Sequence, residues 1–204
     1  SLGGFGSWYV GSLMPDLFAA VSGGGCTPYG VIENLHSLPC WQYWGLKDSH
    51  GEYKGYYARK VKELEECREK YGGYEARLQT YEKLGHGYPP EGHGPILEVL
   101  SERTRDPYPM KVVWNPAFPS GQRGCYWLWG AKGLVVAERK KNLIEVTGVE
   151  PEMDGLEILL NATMVDFQEP VTVQSGGKSL FQGRVKHDLG VLLRSLEEWN
   201  DPEH

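Results

Sequence analysis

Apolar positions recur along this chain in two rhythms, and the change between them falls at Asp106-Pro107-Tyr108-Pro109. Before that point, short apolar runs alternate with longer amphipathic stretches. Phe18 to Ser22 leads into Gly23-Gly24-Gly25, Pro39 to Trp44 into Gly45-Leu46-Lys47-Asp48, and Ala76 to Leu84 into Gly85-His86-Gly87. Short continuous apolar runs that end in turn residues predict buried strands. Between the second and third runs, Tyr56 to Tyr71 places Val61, Leu64 and Cys67 at helical spacing with charges elsewhere, which predicts an amphipathic helix. A further helical pattern over Pro95 to Arg103 is stopped by Pro107 and Pro109. Alternating strand and helix predicts an α/β unit over residues 1–106.

After Pro107 the texture becomes that of an antiparallel β domain. Lys111 to Trp114, Cys125 to Trp129, Leu134 to Arg139, Leu143 to Val149, Leu156 to Leu160, Val171 to Ser175 and Ser179 to Val185 are strand-like runs parted by turn residues. Gly176-Gly177 has the composition of a two-residue hairpin turn, and Lys140-Lys141-Asn142 predicts another. Leu189, Leu192, Leu193 and Leu196 then fall on one face of a terminal helix, expected to cap the small sheet. Residues 107–204 are thus expected to form a β-rich accessory domain ending in a helix. Asp166, His187 and Asp188 in this region read as caps or surface groups.

Chemistry concentrates in the first unit. Ser1-Leu2-Gly3-Gly4 matches the second half of a G-x-S-x-G nucleophile elbow, in which a serine sits on a tight strand-to-helix turn and a glycine two residues on avoids a clash. On this reading Gly3 is the glycine that close packing demands. The N–H of Leu2, at the start of a helix, is a candidate oxyanion donor. Asp48 and His86 each follow a strand-like run in a Gly-flanked loop, in the order Ser, Asp, His. Asp48 also suits a plain turn with Ser49 and Gly51. His93 and His50 compete with His86, and strand-then-loop placement favours His86. Tyr88-Pro89-Pro90 either shapes a pocket wall or ends the strand. Trp8, Tyr9, Trp41, Tyr43 and Trp44 read mainly as core, with Trp8 the best candidate for a substrate contact.

Four segments in series, S-L-G-G-F-G-S-W, P-D-L-F-A-A-V-S-G-G-G, L-P-C-W-Q-Y-W-G-L-K-D and L-G-H-G, resemble the carboxyl-terminal half of an α/β-hydrolase. The type is that of dienelactone hydrolase and polyhydroxybutyrate depolymerase-like esterases, and prolyl oligopeptidase-like serine peptidases are similar. The resemblance covers residues 1 to about 105 and implies a nucleophile at Ser1, a general base at His86, an orienting carboxylate at Asp48 and hydrolysis of an ester or, less often, an amide. It implies a hydrolase cut at its catalytic serine, with one oxyanion donor upstream and no activity in this chain alone. The second module loosely resembles the β-rich appendage of some bacterial secreted esterases and peptidases, which favours a secreted or periplasmic location. The implied partner is a small-molecule or polymeric ester. Two other classes remain: an amino-terminal nucleophile with its own amine as base, and a non-catalytic binding protein on a hydrolase scaffold.

Composition narrows this further. A net charge of −6 with both signs interspersed gives no basic stripe for nucleic acid. No apolar run reaches the length of a membrane span, about 18 residues. Cys26, Cys40, Cys67 and Cys125 show no metal-ligand spacing, so neither a metal nor another cofactor is expected. Cys40, inside an apolar run, reads as a small buried residue, whereas a disulfide at Cys26 stays open. Asn161-Ala162-Thr163 fits a glycosylation acceptor but carries no weight alone. Oligomeric state is not legible.

Overall fold

The computed structural model describes residues 1–49, 52–116, 124–148 and 155–199. His50 and Gly51 lie outside these, as do Val149 and the side chain of Trp199. The chain divides into two compact units, Ser1–Asp106 and Pro107–His204. It combines helices with several sheets, and each unit is built around its own core.

The first unit is a three-stranded parallel sheet in the order β1 (Val21–Gly24), β2 (Cys40–Gly45), β3 (Ala76–Tyr81). Helices α1 (Leu2–Leu13), α2 (Glu52–Tyr71) and α3 (Gly94–Ser101) complete it. All six residues of β2 are buried, as a central parallel strand covered on both faces requires. Its residues alternate between two cores. On one face Cys40 joins Trp8 of α1 and Leu64 and Cys67 of α2, and Trp44 stacks on Tyr57 of α2 at 5.5 Å. On the other, Trp41 and Tyr43 pack with Ile96 of α3. Fully burying side chains of this size stabilises the fold by about 2 kcal/mol each.

Helix α2 has the expected apolar stripe, with Leu64 and Cys67 buried and Val61 half-buried. A Lys62–Glu66 pair lies on its outer side, and Lys60, mostly covered, pairs with Glu63. The helix stops at Gly72, whose N–H donates to the Arg68 carbonyl at 2.9 Å. Strand β1 begins at Val21, later than the run from Phe18 suggested, and takes in the first two glycines of the triplet.

The second unit contains a five-stranded sheet in the order β11-β10-β8-β7-β4 and a smaller antiparallel sheet β5-β6-β9. Its strands are β4 (Lys111–Trp114), β5 (Gly124–Cys125), β6 (Leu128–Trp129), β7 (Val135–Lys140), β8 (Leu143–Gly148), β9 (Glu157–Ile158), β10 (Val171–Ser175) and β11 (Lys178–Gly183). Helix α4 (Leu189–Trp199) follows. The core joins Val112, Trp114, Val135, Ala137, Ile144, Val146 and Val171 of the large sheet to Cys125, Tyr126, Trp127 and Leu128.

Three expectations are corrected here. The large sheet is not wholly antiparallel: β10 lies parallel to β8, because the chain between them passes through β9 instead of turning directly back. Cys125 to Trp129 is not one strand. Cys125 pairs with Leu128 across a two-residue turn, with Tyr126 at φ +54°, and residues 124–129 are all buried. A buried turn and a buried strand give the same unbroken apolar run. Finally, α4 reaches the small sheet through Arg194, while its leucine face stays partly exposed. Leu189, Leu192, Leu193 and Leu196 are 39–69 % exposed, while Ser195 is the buried side chain of that helix. Arg194 turns this side toward Glu157, with which it pairs, and toward the ring of Trp129.

The hairpin turns follow the sequence signals: Gly176 and Gly177 have φ of +54° and +79°, and Lys141 has φ +54° between β7 and β8. No helix among the described residues is long and apolar enough to cross a membrane.

Candidate active site

Two loops at the carboxyl ends of adjacent parallel strands bring Asp48 and His86 together. The loop after β2 is laced to the end of β3: Leu46 N–H donates to the Tyr81 carbonyl and Lys47 N–H to that of Leu84, both at 2.9 Å. Asp48 N–H closes a turn onto the Gly45 carbonyl at 3.0 Å. The plain turn and the chemical role therefore coincide at this residue. From that turn the Asp48 carboxylate meets His86 Nδ1 at 2.8 Å. The Asp48 side chain is 1 % exposed and that of His86 38 %. A buried carboxylate accepts only, so Nδ1 carries the proton and Nε2 is left with the basic lone pair.

Ser1 reaches the same place from α1. Its amino nitrogen donates to the Gly24 carbonyl at the end of β1, and its own carbonyl accepts from Phe5 N–H at 3.1 Å, closing the first helical turn. Gly25 lies between Ser1 and His86. It has φ +57°, and a Cβ placed on it would stand 3.3 Å from the Ser1 nitrogen and 3.4 Å from His86 Cε1. One methyl-sized gap thus separates the two groups from the Gly25 backbone. Ser1 and His86 both line a cleft of about 570 Å³, with Gly23, Gly24 and Gly25 as part of its floor. The Leu2 side chain is exposed, and as the first residue of α1 its N–H has no acceptor within the helix.

The glycine that close packing demands is Gly4, not Gly3. Nothing stands within 4 Å of a Cβ on Gly3, whereas one on Gly4 would meet Cys26 Sγ at 2.5 Å and the Gly24 nitrogen at 2.9 Å. Here the crowding comes from the loop after β1, which the elbow pattern does not describe.

Trp8 is also corrected. It is fully buried, and its indole N–H donates to Gln42 Oε1 at 2.6 Å, so it belongs to the core and not to a substrate surface. Gln42, which sequence reasoning passed over, is the hub behind the site. Its Oε1 also accepts from the Cys26 thiol at 3.4 Å, and its Nε2 donates to the carbonyls of Cys26 and Tyr43. One buried amide thereby ties α1, β2 and the Gly24–Cys26 loop together. Cys26 forms no disulfide, nor do the other three cysteines, and burial raises its pKa to about 11. The signal available in the sequence was a lone Gln in an otherwise apolar strand run.

Of the competing histidines, His86 meets Asp48 and His93 does not. His93 stands at the start of α3, exposed, with its ring 4.8 Å from Tyr88 and 6.5 Å from Tyr43. Tyr88 lines the cleft, and β3 has already ended at Tyr81. In the second unit, Asp188 Oδ1 caps α4 by accepting from Val191 N–H, Asp166 Oδ1 accepts from Gln168 N–H, and His187 stacks on Phe167. Asn161 Oδ1 accepts from the N–H groups of Thr163 and Met164. Among the described residues no group of three or more His, Cys, Asp or Glu side chains is placed to hold a metal ion. No protein-family model, curated protein or solved structure matches this chain.

Proposed function

We propose that this protein is a serine hydrolase acting on carboxylic esters through an acyl-enzyme, on a scaffold of the α/β-hydrolase type. The observation that carries the reading is the 2.8 Å Asp48–His86 contact at the edge of the cleft that Ser1 also lines. Supporting it are the order Ser, Asp, His along the chain and three parallel strands whose carboxyl ends carry the loops concerned.

The chemistry follows from those positions. Ser1 Oγ attacks the ester carbonyl carbon while His86 Nε2 takes its proton. Asp48 holds the ring in the required tautomer and stabilises the imidazolium. The Leu2 N–H, at the positive end of α1, donates to the oxyanion. His86 then delivers the proton to the leaving alcohol, and water, deprotonated by the same nitrogen, releases the acid.

Fluorophosphonate labelling of the protein from its native source, followed by peptide mass mapping, tests this. Modification at Ser1, abolished in His86→Ala, is the expected result. A folded protein that takes no label at Ser1 overturns the reading in favour of a binding role.

A further inference from the structure

The cleft is asymmetric, and its asymmetry specifies what fits there. One part of its lining is almost bare backbone: Gly3 and Gly4 of α1, Gly23 and Gly24 at the end of β1, and Gly25 after it. The rest of the lining includes Tyr88, His93, Ile96 and Leu97, with Tyr43 packed directly against Gly24. Tyr88 and His93 meet edge to face at 4.8 Å, and the Tyr43 ring runs beneath the glycine side, its hydroxyl 2.3 Å from where a Cβ on Gly24 would stand. Tyr88 and Leu97 are 70 % and 61 % exposed, two large apolar groups facing one cleft instead of the core.

Charge is the second observation. Among the described residues that line the cleft, none is Asp, Glu, Lys or Arg. An ionised substituent would lose hydration there without gaining a carboxylate, lysine or arginine partner. A flat neutral group loses little, because bare backbone and ring edges both line the cleft. The volume of about 570 Å³ is ample for such a group beside the reacting carbonyl.

We infer that the site takes neutral esters whose acyl group is aromatic or similarly bulky and apolar, seated between the glycine lining and the side chains of Tyr88, His93 and Leu97. This rests on the serine hydrolase reading above and assigns its substrate class.

The test uses two phosphonofluoridates, one bearing a benzyl group on phosphorus and the other a methyl group. In each, Ser1 Oγ forms the O–P bond, fluoride leaves and the serine proton passes to His86. The expected result is labelling of Ser1 about tenfold or more faster by the benzyl reagent. That ratio falls toward unity in Tyr88→Ala and in Leu97→Ala, whose exposed positions leave the core intact, and persists in Leu192→Gln on α4. Equal rates in the unaltered protein, or a ratio untouched by both cleft substitutions, overturns the inference while Ser1 labelling upholds the hydrolase reading. Failure of both reagents to modify Ser1 overturns the hydrolase reading and this inference with it.

Discussion

Each unit is tied internally by one side-chain amide making four hydrogen bonds. In the first, Gln42 bonds to Trp8, to the Cys26 thiol and to two backbone carbonyls, entirely out of contact with solvent. In the second, Asn142 donates to the carbonyls of Asp166, Glu169 and Pro170 and accepts from Asp166 N–H, but it is half-exposed at a turn. The bond counts match and the surroundings differ. Water can replace what Asn142 loses, whereas nothing replaces the partners of Gln42. The same contrast holds for most of the other polar residues, Ser195 of α4 being a buried one in the second unit. Ser12, Asp16, Thr27, Asn34 and Asp48 are buried in the first unit, while Asn161, Asp166 and Asp188 serve exposed turns and a cap in the second. Buried polarity is concentrated in the unit that holds Asp48 and His86.

The comparison can be broken at its strongest point first. His86→Ala is expected to lower kcat by about 10⁶-fold and Asp48→Asn by about 10⁴-fold. No polar substitution in the second unit should approach either figure when ester turnover is measured. Next, Gln42→Leu leaves the Trp8 indole N–H and the Cys26 carbonyl without their partner in the core, while the Tyr43 carbonyl keeps the Gly25 N–H, for a loss of about 3 kcal/mol, against about 1 kcal/mol for Asn142→Ala. Urea unfolding of the two variants reads this difference, and equal losses would contradict the role given to burial.

Alkaline titration gives a third, smaller effect. Burial raises the pKa of Cys26 to about 11 and, as the largest cause, that of Cys67 to about 11, against an ordinary value of 9.0. The unfolded chain therefore sheds these protons first, so the stability they contribute is full below pH 9.0 and is lost as pH rises to about 11. Thermal melts across that window should fall with pH, and less so in Cys26→Ala. Leu192→Gln on the half-exposed face of α4 should change stability by less than about 0.5 kcal/mol.

Ser1, Asp48 and His86 were legible because their signals are local: a Gly-rich start, and a Gly-flanked polar residue after each apolar run. The same locality made the Gly176-Gly177 turn and the Asp188 cap legible. Gln42 was not, since its partners lie 16 and 34 residues away and no short pattern encodes them. Gly4 escaped for the same reason, being crowded by Cys26 from the loop after β1. In α4 the periodicity placed the leucines on one face correctly, but periodicity states which residues share a face and not whether anything covers it. The aromatic side of the cleft joins Tyr43 from β2 to Tyr88 and His93 from a later loop, a juxtaposition that only the fold supplies.

The most direct measurement is to mix the protein from its native source with a neutral aryl-acyl ester, quench within the first turnover and map the acyl group by mass spectrometry. The account predicts an acyl group on Ser1, formed with a burst of alcohol and absent from His86→Ala. An acyl group on another residue, or full turnover by Ser1→Ala, would contradict it.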